Sequence, residues 1–370
     1  MYRLARPWLF ALGPEDSHDR VLSALAFAAR RRWATGTLHA LYSRKAAPLP
    51  VRVMGIDFPN PLGLAAGLDK QGNASAALAA FGFGWVELGT VTPLPQPGNP
   101  KPRMFRLVSH RAIINRMGFN SVGLDAFLQN LQSMTPGTIR GINIGKNAAT
   151  PLEHAAGDYL SCLERVYPHA DYITVNISSP NTEDLRSLQE SSALDLLLET
   201  LCDHASRLGD RHGKRAPLVL KLAPDLEDPQ IEAIAALLVR HGIDAVAATN
   251  TTVSREGVEG VRHAAESGGL SGPPVRAAAT RVIKSLHDAL GQDVPIIGIG
   301  GIDSAASARE KLAAGASLLQ LYTGLIYHGP GLVAQVVNGL AEGCRSAGHG
   351  DDFRAWLDDL HGNSARQRRE

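Results

Sequence analysis

Eight short apolar runs, separated by stretches with helical spacing, constrain this chain more than any other feature. They cover residues 62–66, 85–90, 141–145, 172–177, 218–222, 245–249, 296–300 and 318–322. Runs this short and this uniformly apolar suit strands buried on both faces, as in a parallel sheet. Between most of them apolar residues recur at helical intervals, as in 74–81, 231–239 and 275–290. Eightfold strand–helix alternation predicts an α/β fold, a closed (β/α)8 TIM barrel. An open doubly wound sheet is the competitor, but no GxGxxG follows the first run. The 37 glycines and 22 prolines cluster at the turns between runs, as many short connections require.

Residues 1–46 follow another pattern. Trp8, Leu9, Phe10, Leu12, Val21, Leu22, Leu25, Phe27 and Trp33 alternate with Arg20, Arg30, Arg31, Arg32 and Arg44. Val21, Leu22 and Leu25 lie at helical spacing. Short amphipathic helices with aromatic anchors and basic ends fit a membrane interface. A helical hairpin packed on its own domain fits the same pattern. No run reaches the roughly 18 apolar residues of a membrane span. Pro48 and Pro50 mark a linker. The expected organisation is a short N-terminal helical extension (1–46), a barrel (47–346) and a polar tail (347–370). The Arg-rich end of that tail, 362–370, is expected to be unstructured.

Bulk properties narrow the function. A net charge of +1 gives no reason to expect a nucleic-acid partner. Cys162, Cys202 and Cys344 are odd in number and far apart, so neither a disulfide framework nor a metal site is expected.

In such a barrel the chemistry gathers at the C-terminal ends of the strands. Polar residues stand there in every case: Asp69 and Lys70, Thr90, Asn143, Asn176 leading to Ser178–Thr182, Lys221, Thr249–Thr252, Gly300-Gly301, and Tyr322-Thr323. A single strand-end Asn or Thr is usually a turn or cap residue. Lys221 is different, because a lysine inside an apolar strand must find a partner or lose its charge. The glycines after the seventh and eighth runs, with a further turn at 268–272, suit a phosphate.

Several strings resemble one family. Residues 60–70 (NPLGLAAGLDK), 89–93 (GTVTP), 98–107 (GNPKPRMFRL), 115–120 (NRMGFN) and 176–182 (NISSPNT) are similar to the motifs of dihydroorotate dehydrogenases. The similarity extends over nearly all of residues 50–340. The soluble class of that family, and with it the nearest rival reading, would place a cysteine where Ser179 stands. Serine there, with a helical extension, resembles the quinone-reducing class 2.

The resemblance implies oxidation of dihydroorotate to orotate in pyrimidine synthesis, with one FMN and a membrane quinone as acceptor. Ser179 would be the base, with Phe119 and Thr182 beside a proton path. Lys70, Asn115, Arg116, Met117, Gly118, Phe119, Asn176, Asn181, Asn250 and Thr251 would hold the substrate. Ala66, Gly67, Leu68, Asp69, Lys70, Thr90, Asn143, Asn176, Lys221, Thr249, Gly272, Gly301, Tyr322 and Thr323 would hold FMN. His18, Arg106 and Tyr322 would line a quinone tunnel. The extension would rest on the lipid bilayer, making the chain a peripheral protein on the cytoplasmic face of a bacterial-type cell membrane.

Overall fold

The structure, a computed structural model, describes residues 2–132, 138–182 and 184–366. The eight apolar runs form one closed barrel. Its strands are β1 (Leu62–Leu64), β2 (Trp85–Val91), β3 (Arg140–Ile144), β4 (Tyr172–Asn176), β5 (Leu218–Leu222), β6 (Ala245–Ala248), β7 (Ile296–Ile299) and β8 (Leu318–Leu321). Each pairs in parallel with the next, and β8 closes on β1 through Gln320 opposite Gly63. Apart from Arg140, every residue of these strands is buried, as helices outside and side chains inside require.

The lower interior of the barrel is filled by two large rings. Trp85 and Tyr172 fit because β1 and β3 carry glycine opposite them. A Cβ on Gly63 would stand 2.1 Å from Trp85, and one on Gly141 would stand 2.2 Å from Tyr172. The short hairpin of Val51–Val53 and Ile56–Phe58 precedes β1, and Phe58 packs on Trp85 with ring centroids 4.7 Å apart.

The outer helices follow the expected periodicity. In Asp228–Arg240, Ile231, Ile234, Ala235 and Leu238 form one buried face. Its start is set by a capping box in which Gln230 Oε1 accepts from the backbone N–H of Glu227 at 2.9 Å. Over the barrel mouth lies a three-stranded antiparallel sheet of Met104–Leu107, Ala112–Asn115 and Gly269–Ser271. The sequence reading had missed it, because its strands are three or four residues long and one comes from a distant loop.

The extension is helical: α1 (Tyr2–Ala11), α2 (Pro14–Ala29) and α3 (Arg32–Leu41). Pro14 starts α2, where its missing N–H costs nothing. Leu22, Leu25, Ala26 and Leu38 pack on the core. No helix among the described residues is long and apolar enough to cross a membrane.

The C-terminal segment departs from the expected polar tail. Residues Phe353–Arg366 form a helix, so the part of 362–370 that is described is ordered; residues 367–370 lie outside the described ones. The helix packs because Phe353, Trp356, Leu357 and Leu360 recur at helical spacing under the charged residues. Trp356 is 1% exposed. Trp356→Ala should therefore cost about 3–5 kcal/mol, as deletion of a buried ring does. Denaturant unfolding checks this, and wild-type stability would show the helix to be an independent appendage.

Candidate active site

A cavity opens at the C-terminal ends of the strands. Every strand except β3, or the loop after it, contributes to the mouth, and the antiparallel sheet roofs it with Met104, Ile113, Asn115 and Ser271. Of the expected site residues, Ala66, Gly67, Lys70, Thr90, Asn115, Met117, Gly118, Phe119, Asn176, Ser179, Asn181, Lys221, Thr249, Asn250, Thr251, Gly272, Gly301, Tyr322 and Thr323 all lie on its wall.

The remaining expected residues lie elsewhere. Asp69 is fully buried below the loop and accepts from the backbone N–H groups of Asn73 (3.2 Å) and Ala74 (2.9 Å). Its role is to shape the turn that presents Lys70. Leu68 faces a different, apolar cavity. Asn143 sits one layer down, accepting from Thr90 Oγ1 at 2.6 Å and Asn176 Nδ2 at 3.1 Å. Arg116 pairs with Glu266 at 2.7 Å and lies over the Phe105 ring, on a smaller recess beside the site. Thr182 lines that recess too, and Ser179 and Asn181 face both spaces.

The polar side chains orient one another. Asn176 Nδ2 donates to Thr90 Oγ1 at 3.2 Å, and its Oδ1 accepts from Ser178 Oγ at 3.1 Å. Asn250 Nδ2 donates to Ser178 Oγ at 3.0 Å, while its Oδ1 accepts from the backbone N–H of Thr251 at 2.8 Å. Asn181 Nδ2 reaches Asn115 Oδ1 at 3.4 Å. Buried oxygens beside the site without a protein partner among the described residues include Asn181 Oδ1, Thr182 Oγ1 and Gln320 Oε1. Such groups call for a ligand or water partner.

Ser179 is buried, and its Oγ accepts from the backbone N–H of Asn181 at 3.2 Å. Among the described residues no carboxylate or imidazole bonds to it. The loop carrying it is braced by Arg186, which donates to Ser178 O (3.2 Å) and Thr251 O (2.9 Å) and pairs with Asp225 at 2.8 Å. Sequence reading missed Arg186, which lies beyond the 176–182 motif.

Two lysines supply positive charge. Lys70 donates to Asn120 Oδ1, and its pKa is pushed down to about 7, mainly by burial and further by Arg103. Lys221 is buried in β5, and burial lowers its pKa while Glu87, 3.8 Å away, raises it. Glu87 was a second omission. It breaks the apolar run of β2 as Lys221 breaks β5, so the same argument would have found it.

The phosphate-like end lies at β7 and β8. Gly301 has φ +71°, and a Cβ there would stand 2.5 Å from the Arg276 side chain. Only glycine allows this backbone to approach so closely. With Gly272 and Thr323 it makes a cradle of backbone and hydroxyl groups that suits a phosphate.

A second, apolar cavity lies between α1, α2 and the barrel. Its wall includes His18, Arg106, Leu22, Leu25, Leu68 and Phe81. Met104 and Ile113 belong to the walls of both cavities and so separate them. Tyr322, expected in this tunnel, lines the cavity at the strand ends instead. Its ring comes within 3.5 Å of where a Gly67 Cβ would lie, which places it with the β1 loop. Arg106 donates to Phe10 O (3.2 Å) and Leu12 O (3.0 Å), tying the end of α1 to the roof sheet. His18 is held neutral, its pKa lowered to about 4 by burial first and by Lys70 second.

Comparison with known proteins bears on this arrangement. The family described as Dihydroorotate dehydrogenase matches residues 48–343. The chain belongs to the dihydroorotate dehydrogenase family. Curated relatives in Ralstonia nicotianae and Thiobacillus denitrificans, both called dihydroorotate dehydrogenase (quinone), are 58% and 57% identical. They align over 92% of this chain and over 98% and 100% of their own lengths. The ligand-free DHODH structure from Eimeria tenella superposes with a TM-score of 0.84 at 35% identity, covering 94% of this chain and 98% of that one. The ferulenol complex from the same organism gives 0.80, also at 35% identity, covering 87% and 94%. The family match spans the barrel, and the alignments extend beyond it.

Lys70 generates a pH prediction. Its amine is charged below about pH 7 and neutral above. A carboxylate ligand prefers the charged form, so orotate affinity should fall as pH rises through that value, approaching about tenfold per unit. Titration calorimetry checks it. Lys70→Met should bind weakly with no such slope, and a wild-type affinity flat across neutrality would remove Lys70 from carboxylate recognition.

Proposed function

We propose that the chain oxidises dihydroorotate to orotate in pyrimidine biosynthesis, with one resident FMN and a membrane quinone as final acceptor. The observation that carries this is the pair of cavities sharing the wall of Met104 and Ile113: one polar and glycine-edged, the other apolar and walled by the extension. When bound, FMN would accept the hydride and pass electrons on.

The residues fit that group. Gly272, Gly301 and Thr323 would hold its phosphate, with Tyr322 alongside. Ala66, Gly67, Thr90, Asn176 and Thr249 would border its ring, with Asn143 fixing Thr90 and Asn176 from below. Lys221 would set a positive charge at the ring edge where negative charge develops. Leu68 and Asp69 would support this site from behind.

The substrate's edges would be read by Asn115, Asn176, Asn181, Asn250 and Thr251, whose amides and hydroxyl match alternating donors and acceptors. The unpartnered Asn181 Oδ1 suits a ring N–H. Lys70 would meet the substrate carboxylate, and the 115–119 backbone would close over it, with Arg116 anchoring that segment through Glu266. Ser179 Oγ would take the proton from the substrate carbon. A hydroxyl needs somewhere to send it. Thr182, beside Ser179 on the outer recess, would relay it to solvent while Phe119 shields the inner face. His18, held neutral, can hydrogen-bond a quinone head, and Arg106 would fix that end of the tunnel.

Leu4 (79% exposed), Trp8 (80%), Phe27 (57%) and Trp33 (70%) stand out from the extension among arginines. This is the composition of a surface that rests in lipid headgroups, here on the cytoplasmic face of a cell membrane.

Two outcomes are expected. Ser179→Ala should keep the yellow cofactor bound but slow its reduction by dihydroorotate about 10²–10⁴-fold, read by stopped-flow absorbance. A purified, folded protein that neither holds nor takes up FMN would defeat the reading. Replacing Trp8, Phe27 and Trp33 together by Ser should leave that half-reaction intact. It should weaken vesicle binding about tenfold or more, since burying each ring contributes about 1.5–3 kcal/mol. Long-tailed quinone turnover should fall in step, and unchanged vesicle binding would return the extension to a packing role.

A further inference from the structure

Beneath the cavity floor lies a buried polar cluster centred on Glu87, a residue that the reaction described above does not use. Glu87 of β2 is fully buried. Its Oε1 accepts from Asn143 Nδ2 at 2.8 Å and stands 3.8 Å from Lys221 Nζ. Its Oε2 accepts from Tyr172 Oη and from Gln320 Nε2, each at 2.8 Å. The Tyr172 hydroxyl itself accepts from Trp85 Nε1 and Gln320 Nε2, both at 3.1 Å, so its own proton is directed to Glu87. Every neighbour of the two carboxylate oxygens is therefore a donor, and a carboxylate is the group that accepts from all of them.

Three titratable groups meet here: Glu87 of β2, Tyr172 of β4 and Lys221 of β5. Strands β3 and β8 bring the neutral amides Asn143 and Gln320, and β1 brings Gly63. Lys221 and Gln320 also reach the cavity wall, so the cluster joins the floor to the site. Burial disfavours a charge on Lys221 and lowers its pKa, and Glu87 is the neighbouring charge that opposes this. Asn143, held by Glu87 on one side, presents its Oδ1 to Thr90 and Asn176 on the other.

We propose that Glu87 is a positioning residue that keeps Lys221 charged and aimed at the cofactor, and fixes the amide orientation of Asn143. This rests on the FMN reading. The two fail separately, because bound FMN is seen by its own absorbance before any effect of Glu87 is measured.

Glu87→Gln keeps the shape and removes the charge. In this variant burial acts on Lys221 unopposed, so it should lose its proton over a lower pH range than in wild type. The flavin midpoint potential of FMN-loaded Glu87→Gln should fall relative to wild type as pH rises across that range. The variant-to-wild-type ratio of flavin reduction rates should fall with it, approaching about tenfold per pH unit. Glu87→Asp, which retains the charge, should restore a flat ratio. A Glu87→Gln protein that binds FMN and differs from wild type by the same amount at every pH overturns the proposal, because a purely structural role predicts that constant offset. Should Glu87→Gln not fold, the reciprocal variant reads the same coupling. Lys221→Met leaves the carboxylate without its cation, so its melting temperature should drop further below wild type as pH rises. A pH-independent difference there overturns the proposal equally.

Discussion

The structure depends on the closure of the parallel barrel. Closing eight strands removes every sheet edge but leaves an interior that water cannot reach, so each polar atom placed there must be answered by another. Glu87, Tyr172, Asn143, Gln320 and Lys221 answer one another from five different strands. Removing one partner of such a set leaves the others buried and unpaired, which is far costlier than never having placed them. Below this layer Trp85 and Tyr172 fill the barrel, admitted by Gly63 and Gly141. Above it, the same network orients Thr90 and Asn176 on the cavity wall. Core and site are thus one continuous hydrogen-bonded body.

The two cavities express a division of chemistry. The inner one carries amides, hydroxyls and two lysines, the groups that the proposed substrate and cofactor would need. The outer one is mostly apolar, with Tyr2, Ser17, His18 and Arg106 as its polar exceptions. The partition between them, Met104 and Ile113, belongs to the roof sheet rather than to the barrel. The extension is anchored to that roof at two points: Arg106 holds the end of α1, and Arg103 pairs with Glu15 of α2 at 2.8 Å. Arg103 also donates to Pro97 O and Asn99 O, while Asn99 donates to Asn181 O at 3.2 Å. The extension is therefore tied through the second loop to the loop that carries Ser179.

Some of this was legible from residues alone. Lys221 announced itself because a charge in an apolar strand has few explanations, and Glu87 obeys the same logic. The strand-end Asn and Thr residues could be collected because barrel geometry sends all such ends to one face. Tyr322 was assigned to two spaces, since a residue number after a strand does not say which cavity its ring enters. Leu68 and Asp69 adjoin true wall residues in sequence, yet one faces the apolar cavity and the other caps a turn. The C-terminal helix was passed over because its four apolar anchors are interspersed with charged and polar residues.

The sequence by itself determined the barrel, the polar character of its C-terminal face and the amphipathic nature of the extension, since periodicity and burial preference are local properties. Tertiary structure alone decided what pairs with what. Glu87 and Lys221 are far apart in the chain and meet only because parallel strands close into a ring. Met104 and Ile113 became a partition only when a distant loop, Gly269–Ser271, paired with Ala112–Asn115 to complete the roof. Such contacts depend on the relative placement of whole elements, and side-chain identity carries no record of that until the chain has closed on itself.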